Sequence, residues 1–194
     1  MGIIVSGFDG IGKTYATQLF RNKGVKVLDL VSEDFKSSEN FPENYISKIK
    51  ENTPKYDIVF ISSEEDVRWA LNAEGIDFDF FYPSIERKKE FLENYVISKK
   101  NKETIKYLDN NFKEIINKID EEELTHCYKH KLNEKGEYLG NNNELLEYIF
   151  QVTVNSPKDI KNSENNMGSE INPRFKHLVS QLKAIVSELE KLGQ

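Results

Sequence analysis

Residues 7–14, Gly7-Phe8-Asp9-Gly10-Ile11-Gly12-Lys13-Thr14, set three glycines, a lysine and a hydroxyl at the spacing G-x-x-x-x-G-K-[ST]. That spacing suits a chain of phosphates. Glycines let the backbone curl so that successive N–H groups point inward at phosphate oxygens, and a following helix N-terminus adds partial positive charge. Lys13 would reach the β- and γ-phosphates, and the Thr14 hydroxyl would coordinate Mg²⁺. Gly7, Asp9, Gly10, Ile11, Gly12, Lys13, Thr14 and Tyr15 are therefore the candidate nucleotide-binding residues, with ATP and Mg²⁺ as the cofactors and Thr14 as the metal ligand. Asp9 is the odd member. A carboxylate beside phosphates repels them unless it points away or meets the metal.

The elements around the loop are those the chemistry needs. Gly2-Ile3-Ile4-Val5-Ser6 is a short apolar, β-branched run of the kind that forms a buried parallel strand. Lys13 to Asn22 carries Tyr15, Ala16, Leu19 and Phe20 at helical spacing. Val25 to Leu28 reads as a second strand closed by Asp29, and Pro42 opens a helix over Glu43 to Glu51. Asp57 to Ser62 is the clearest interior strand. Ser63 reads as the N-cap of a helix running through Ala73, with Glu64, Glu65 and Asp66 in its first turn.

Asp77 to Tyr82 is a fourth strand ending at Pro83, followed by a helix capped by Ser84 and running from Glu86 to about Val96. Glu103 to Glu123 is a long helix, Thr125 to Leu132 a fifth strand, and Asn143 to Val154 a closing helix. Strands alternating with helices predict an α/β protein: a five-stranded parallel sheet with helices on both faces, in the P-loop NTPase fold. Ligands in such sheets sit at the carboxyl ends of the strands. That rule makes Asp29, Ser62, Ser63 and Tyr82 candidate lining.

Residues 1–154 thus form one domain. Residues 155–172 are polar and read as a flexible linker. In residues 173–194, Phe175, Leu178, Leu182, Ile185, Leu189 and Leu192 repeat with heptad spacing and predict a C-terminal amphipathic helix. This helix either folds back on its own domain or joins a homo-oligomer through residues 175–192.

Composition bounds the partners. The 194 residues carry a net charge of −6, which argues mildly against a polynucleotide substrate. No run of 18 apolar residues is present, so no membrane span is expected. The first strand begins at once, so no secretory leader is expected, and Cys127, the single cysteine, suits a reducing cytoplasm. His126, His130 and His177 have no metal-ligand spacing.

The loop alone does not say where a γ-phosphoryl group goes. Switch GTPases and motor ATPases place an acid directly after a buried strand beside the loop strand, and here that slot holds Ser62-Ser63. No guanine-reading Asn-Lys-x-Asp sequence occurs either. A small phosphotransferase fits better. Arg68, on the helix after the third strand, could clamp an acceptor phosphate bidentately, or pair with Glu64 or Glu65 on its own helix. Trp69 reads as core rather than as a base-stacking platform.

Taken with Phe41-Pro42-Glu43-Asn44-Tyr45-Ile46, Asp57 to Ser63, Val67-Arg68, Tyr82-Pro83 and Gly136-Glu137-Tyr138-Leu139, the loop resembles the small P-loop kinases. That group includes adenylate kinases, other nucleoside monophosphate kinases, gluconate-type kinases and 5′-polynucleotide kinases, and the likeness is greatest to short nucleotide-kinase-like proteins of tailed phages. The resemblance covers roughly residues 1–150. It implies that Asp29 or Asp34 lies near the acceptor, orienting or deprotonating its hydroxyl or helping to organise Mg²⁺. It further implies that a lid near Arg87, Lys88 and Lys89, which open the helix after the fourth strand with Lys99 and Lys100 at its far end, brings cations to the transferring phosphoryl group, with Arg87 the single arginine. Gly136 to Leu139 would fall where the donor adenine is held.

The catalytic candidates are Lys13, Asp29, Arg68 and Arg87. The leading function is an ATP-dependent phosphotransferase acting on a nucleotide or nucleoside-like acceptor in the cytoplasm, the host's if the chain is phage-encoded. A 5′-hydroxyl or modified-base DNA kinase is one alternative, nucleic acid being the less favoured partner. A nucleotide-binding regulator that assembles through its C-terminal helix is another.

Overall fold

The computed structural model describes residues 2–143 and 145–147. The linker, the C-terminal amphipathic helix and most of the Asn143 to Val154 helix expected from the sequence lie outside the described residues. Five parallel strands form one sheet: β1 Ile3–Gly7, β2 Val27–Leu30, β3 Ile58–Ile61, β4 Phe78–Pro83 and β5 Cys127–Leu132. Their spatial order is β2-β3-β1-β4-β5. Between them run α1 Lys13–Asn22, α2 Glu43–Asn52, α3 Glu65–Ala73, α4 Lys88–Ile97 and α5 Lys102–Glu121. The P-loop strand β1 is central, hydrogen-bonded to β3 on one side and β4 on the other.

Register decides which helix covers which face. In β1, Val5 pairs with Phe60 and the next residue, Ser6, pairs with Phe80, so the two phenylalanines point to opposite faces. Phe20 of α1 stacks on Phe60 at 6.2 Å, whereas the Arg68 guanidinium of α3 lies over the Phe80 ring at 4.7 Å. Helices therefore cover both faces, as right-handed crossovers demand when β1 leads one way along the sheet and β2 to β4 lead the other. The chain diverges between β1 and β4, where a crevice opens at the carboxyl ends of the strands.

The core follows from the apolar runs. Ile58, Val59, Phe60 and Ile61 are fully buried, and Tyr45, Ile46 and Ile49 of α2 close over them. Phe91 of α4 and Phe112 of α5 meet edge-on around Phe8.

Several expectations shift. β2 begins at Val27 and contains Asp29, which pairs with Phe60 in the ladder rather than closing the strand. Ser63 does not cap α3; Glu64 occupies the N-cap position, with no side-chain cap. The single helix expected after Ser84 is a 3-10 turn, Ile85–Arg87, leading into α4. Trp69 is 46% exposed and belongs to no core. Among the described residues, no helix is long and apolar enough to cross a membrane.

Candidate phosphate-binding site

The loop from Gly7 to Thr14 links β1 to α1 at the centre of the sheet's carboxyl edge. Gly10 and Gly12 have φ of 84° and 91°, a left-handed conformation that a Cβ would strain. Gly12 is the N-cap of α1 and makes no side-chain cap, so the first N–H groups of that helix are open to a ligand. Lys13 Nζ donates to the Gly7 carbonyl at 2.6 Å, curling its side chain under the loop. Burial lowers the Lys13 pKa below the ordinary lysine value, against the opposing pull of Asp9, Asp29, Glu64 and Glu33. An arriving phosphate would offset that penalty.

Thr14 and Asp29 meet. The exposed Thr14 hydroxyl donates to Asp29 Oδ2 at 3.2 Å. Asp29 Oδ1 is buried with no hydrogen-bond partner. An orphaned carboxylate oxygen is costly unless a cation or an acceptor hydroxyl meets it. Hard oxygen donors of this kind fit Mg²⁺, which takes one or two protein oxygens and completes its shell with phosphate and water. Among the described residues no group of three or more His, Cys, Asp and Glu side chains could hold a metal.

A second acid lies nearby. Ser62 and Ser63 fill the positions directly after Ile61, and Glu64 comes one step later. Its Oε1 accepts from Ser32 Oγ at 2.6 Å and pairs with Lys36 at 2.5 Å, while Oε2 is buried and unpartnered. Burial alone would raise its pKa; Lys36 and Ser32 outweigh it and hold the carboxyl below the ordinary glutamate value. Tyr45 fastens this end of the sheet, donating to Leu30 O at 2.5 Å and accepting from Ser62 N–H at 3.1 Å. Burial pushes its hydroxyl up to about 12. The visible signal for Glu64 was its place just past the most buried strand. Asp34, by contrast, is exposed in the loop after β2.

On the other side of the loop lies a cleft of about 630 Å³, lined by Asp9, Gly10, Gly12, Lys13, Thr14 and Tyr15, by the end of α4, and by Tyr138, Gly140 and Asn141. Its size is that of a small-molecule or cofactor pocket. Leu139 N–H donates to the Ile11 carbonyl at 3.2 Å, so the segment after β5 is tied to the P-loop. A Cβ on Gly140 would stand 2.9 Å from the Tyr15 ring, so these two walls touch closely.

The two arginines expected at the site are committed elsewhere. Arg68 is 4% exposed; its Nε donates to Glu122 Oε2 at 3.0 Å, and its other nitrogens bond Glu122 Oε1 and the Ser63 carbonyl. It pairs with neither Glu64 nor Glu65. Each of its three nitrogens is thus engaged within the buried pair and its surroundings, away from any exposed acceptor phosphate. Arg87 is 3% exposed and grips Glu90 through Nε at 3.1 Å and Nη2 at 2.9 Å, packed 5.2 Å from both the Phe91 and Tyr138 ring centres. In this structure it stands buried beside Glu90, with Nη1 unpartnered, and does not line the cleft over the loop. Cys127 is half-buried, and burial pushes its thiol up to about 11, which disfavours the reactive thiolate.

A parallel sheet of this order, with the glycine loop between its central strand and α1, defines an α/β protein of the P-loop NTPase fold. No family model and no curated protein matches the chain. Among solved structures, the 1.7 Å crystal structure of shikimate kinase from Bacteroides thetaiotaomicron is similar at 13% identity and a TM-score of 0.46, over 79% of this chain and 96% of that one.

Proposed function

We propose that this protein is an ATP- and Mg²⁺-dependent phosphotransferase acting on a nucleotide or nucleoside-like acceptor. The observation that supports it is the pairing of Thr14 with Asp29 beside Lys13, a hydroxyl, a carboxylate and an ammonium brought together at a glycine loop. Lys13 and the loop amides bind the β- and γ-phosphates. Thr14 would hold Mg²⁺, with Asp29 accepting the hydroxyl proton so that the Thr14 lone pairs face the cation. Mg²⁺ supplies charge neutralisation to a triphosphate in a site already carrying Asp9, Asp29 and Glu64.

A hydroxyl acceptor is favoured over a phosphate acceptor, because the site holds two part-unpartnered carboxylates, Asp29 and Glu64, and no free arginine fork. In the transfer, the acceptor oxygen forms a bond to the γ-phosphorus as the bond from that phosphorus to the β–γ bridging oxygen breaks. The hydroxyl proton passes to Asp29 and then to solvent, and ADP leaves. Labelled ATP offered with nucleosides, nucleotides and 5′-hydroxyl DNA tests this reading. One acceptor class should become labelled, and Lys13→Ala should reduce transfer about 10²–10³-fold. Absence of any labelled acceptor, with ATP binding unaltered in Lys13→Ala, would overturn it.

A further inference from the structure

Asp9 stands inside the loop that should hold phosphates, yet its carboxylate is not left facing them alone. α4 ends at Ile97, and the chain reverses through Ser98, Lys99 and Lys100 before α5. Ser98 N–H donates to Asn94 O at 2.8 Å and Lys100 N–H to Tyr95 O at 3.0 Å, with Lys99 left-handed at φ 55°. This tight reversal carries Lys100 back over the P-loop. Its Nζ lies 2.9 Å from Asp9 Oδ2 and 5.9 Å from the centre of the Tyr95 ring. Asp9 Oδ1 accepts from Gly10 N–H at 3.1 Å, so one oxygen of the carboxylate braces the loop while the other holds the lysine.

With Arg87 bound to Glu90, Lys13 and Lys100 are the cationic side chains lining the cleft among the described residues. Lys13 bonds the Gly7 carbonyl at the start of the loop, and Lys100 reaches Asp9 from the α4–α5 turn. We infer that Lys100 is a second phosphate-binding cation of this cleft, taking the terminal phosphate of a nucleoside triphosphate, and that Asp9 is the positioning carboxylate that parks it over the loop. This rests on the triphosphate-binding reading above.

The charges support an exchange of partners. Lys100 is 42% exposed, and a solvent-exposed ammonium–carboxylate pair is held weakly. A terminal phosphate carries more charge than Asp9 and presents several acceptor oxygens, so it competes well for an ammonium on a flexible four-carbon stem. Holding the lysine within reach of the loop beforehand reduces the ordering that binding must supply. The backbone bonds of the reversal already fix the turn, so the pair is not required merely to keep α4 in place.

Calorimetric titration of the full chain with Mg-ATP and Mg-ADP separates a phosphate ligand from a simple tether. Lys100→Ala should weaken ATP about tenfold and ADP much less, the loss of one charge-assisted contact to the third phosphate. Lys100→Arg should restore most of the ATP preference. Asp9→Asn should reduce the preference for ATP over ADP by less than Lys100→Ala does, because it releases the cation without removing it. Equal weakening of ATP and ADP by Lys100→Ala would overturn the inference while leaving nucleotide binding intact. A wild-type chain that binds neither nucleotide would overturn the triphosphate-binding reading and this inference together.

Discussion

The Thr14 hydroxyl donates to Asp29 Oδ2 at 3.2 Å, joining the first residues of α1 to the edge strand β2 across the carboxyl end of the sheet. The bond orients the threonine oxygen, and it leaves the second Asp29 oxygen buried without a partner. A helix that begins at a phosphate loop and an acid carried within the edge strand thereby share one small polar centre. Glu64, at the N-cap of α3, adds a second carboxylate, held by Ser32 and Lys36.

Asp29→Asn is the direct test of that centre. The amide keeps the shape and can still accept from Thr14, but it removes the charge that, in the proposed transfer, would draw Mg²⁺ and take the proton. ATP should then stabilise the protein against heat equally with and without Mg²⁺, whereas the wild type should gain more when both are present. Phosphoryl transfer should fall about 10²–10⁴-fold, the range for loss of a positioned acid–base group. A variant retaining full transfer and the full Mg²⁺-dependent shift would remove Asp29 from the chemistry.

Much of this arrangement is legible in the sequence, and the illegible part has a common cause. The glycine loop, the helix over Lys13–Asn22 and the run Ile58–Ile61 announce themselves through local spacing and apolar continuity. β2 is misplaced by two residues because Val25-Lys26-Val27-Leu28 alternates well by itself. The ladder instead pairs Val27 with Ile58 and Leu30 with Ile61, a register set by another strand. Partner choice is similarly non-local. Arg68 has glutamates beside it in sequence but takes Glu122, 54 positions away, because only that carboxylate shares its buried site. The Lys100–Asp9 pair depends on a reversal at Lys99 that no local pattern marks.

The Arg68–Glu122 pair makes a separate prediction about stability. Both side chains are about 5% exposed or less, and their mutual bonds are supplemented by the Ser63 carbonyl and the Phe80 ring. Removing one member strands a buried charge. Glu122→Gln or Arg68→Ala should lower the unfolding free energy by ~3–5 kcal/mol, read from urea titration. The double variant Arg68→Met/Glu122→Leu should recover most of that loss, since no charge is then left unpaired. Additive losses in the double variant would show that the two residues act independently.

Glu90 sets a pH dependence on the far wall of the cleft. The Arg87 guanidinium, against the opposing effect of burial and with help from the Tyr138 hydroxyl and the Gly136 N–H, holds its carboxyl below the ordinary glutamate value. A carboxyl whose pKa is depressed by folding stabilises the native state fully above its unfolded pKa, and the contribution disappears as pH falls through the folded value. Stability should therefore be flat near neutrality and decline as pH drops below about 5, with Glu90→Gln less stable than wild type at pH 7 and the gap closing on acidification. The local readout is amide exchange. Gly136 N–H, which donates to Glu90 Oε1 at 3.1 Å, should lose protection in Glu90→Gln at pH 7 and in the wild type only in acid. Because Tyr138 lines the cleft and its hydroxyl donates to the same carboxylate, ATP affinity should fall along with that protection. Unchanged exchange and affinity in Glu90→Gln would show that the wall stands without this carboxylate, held by the Leu139 bond to Ile11 and the Asn94 bond to the Tyr138 hydroxyl.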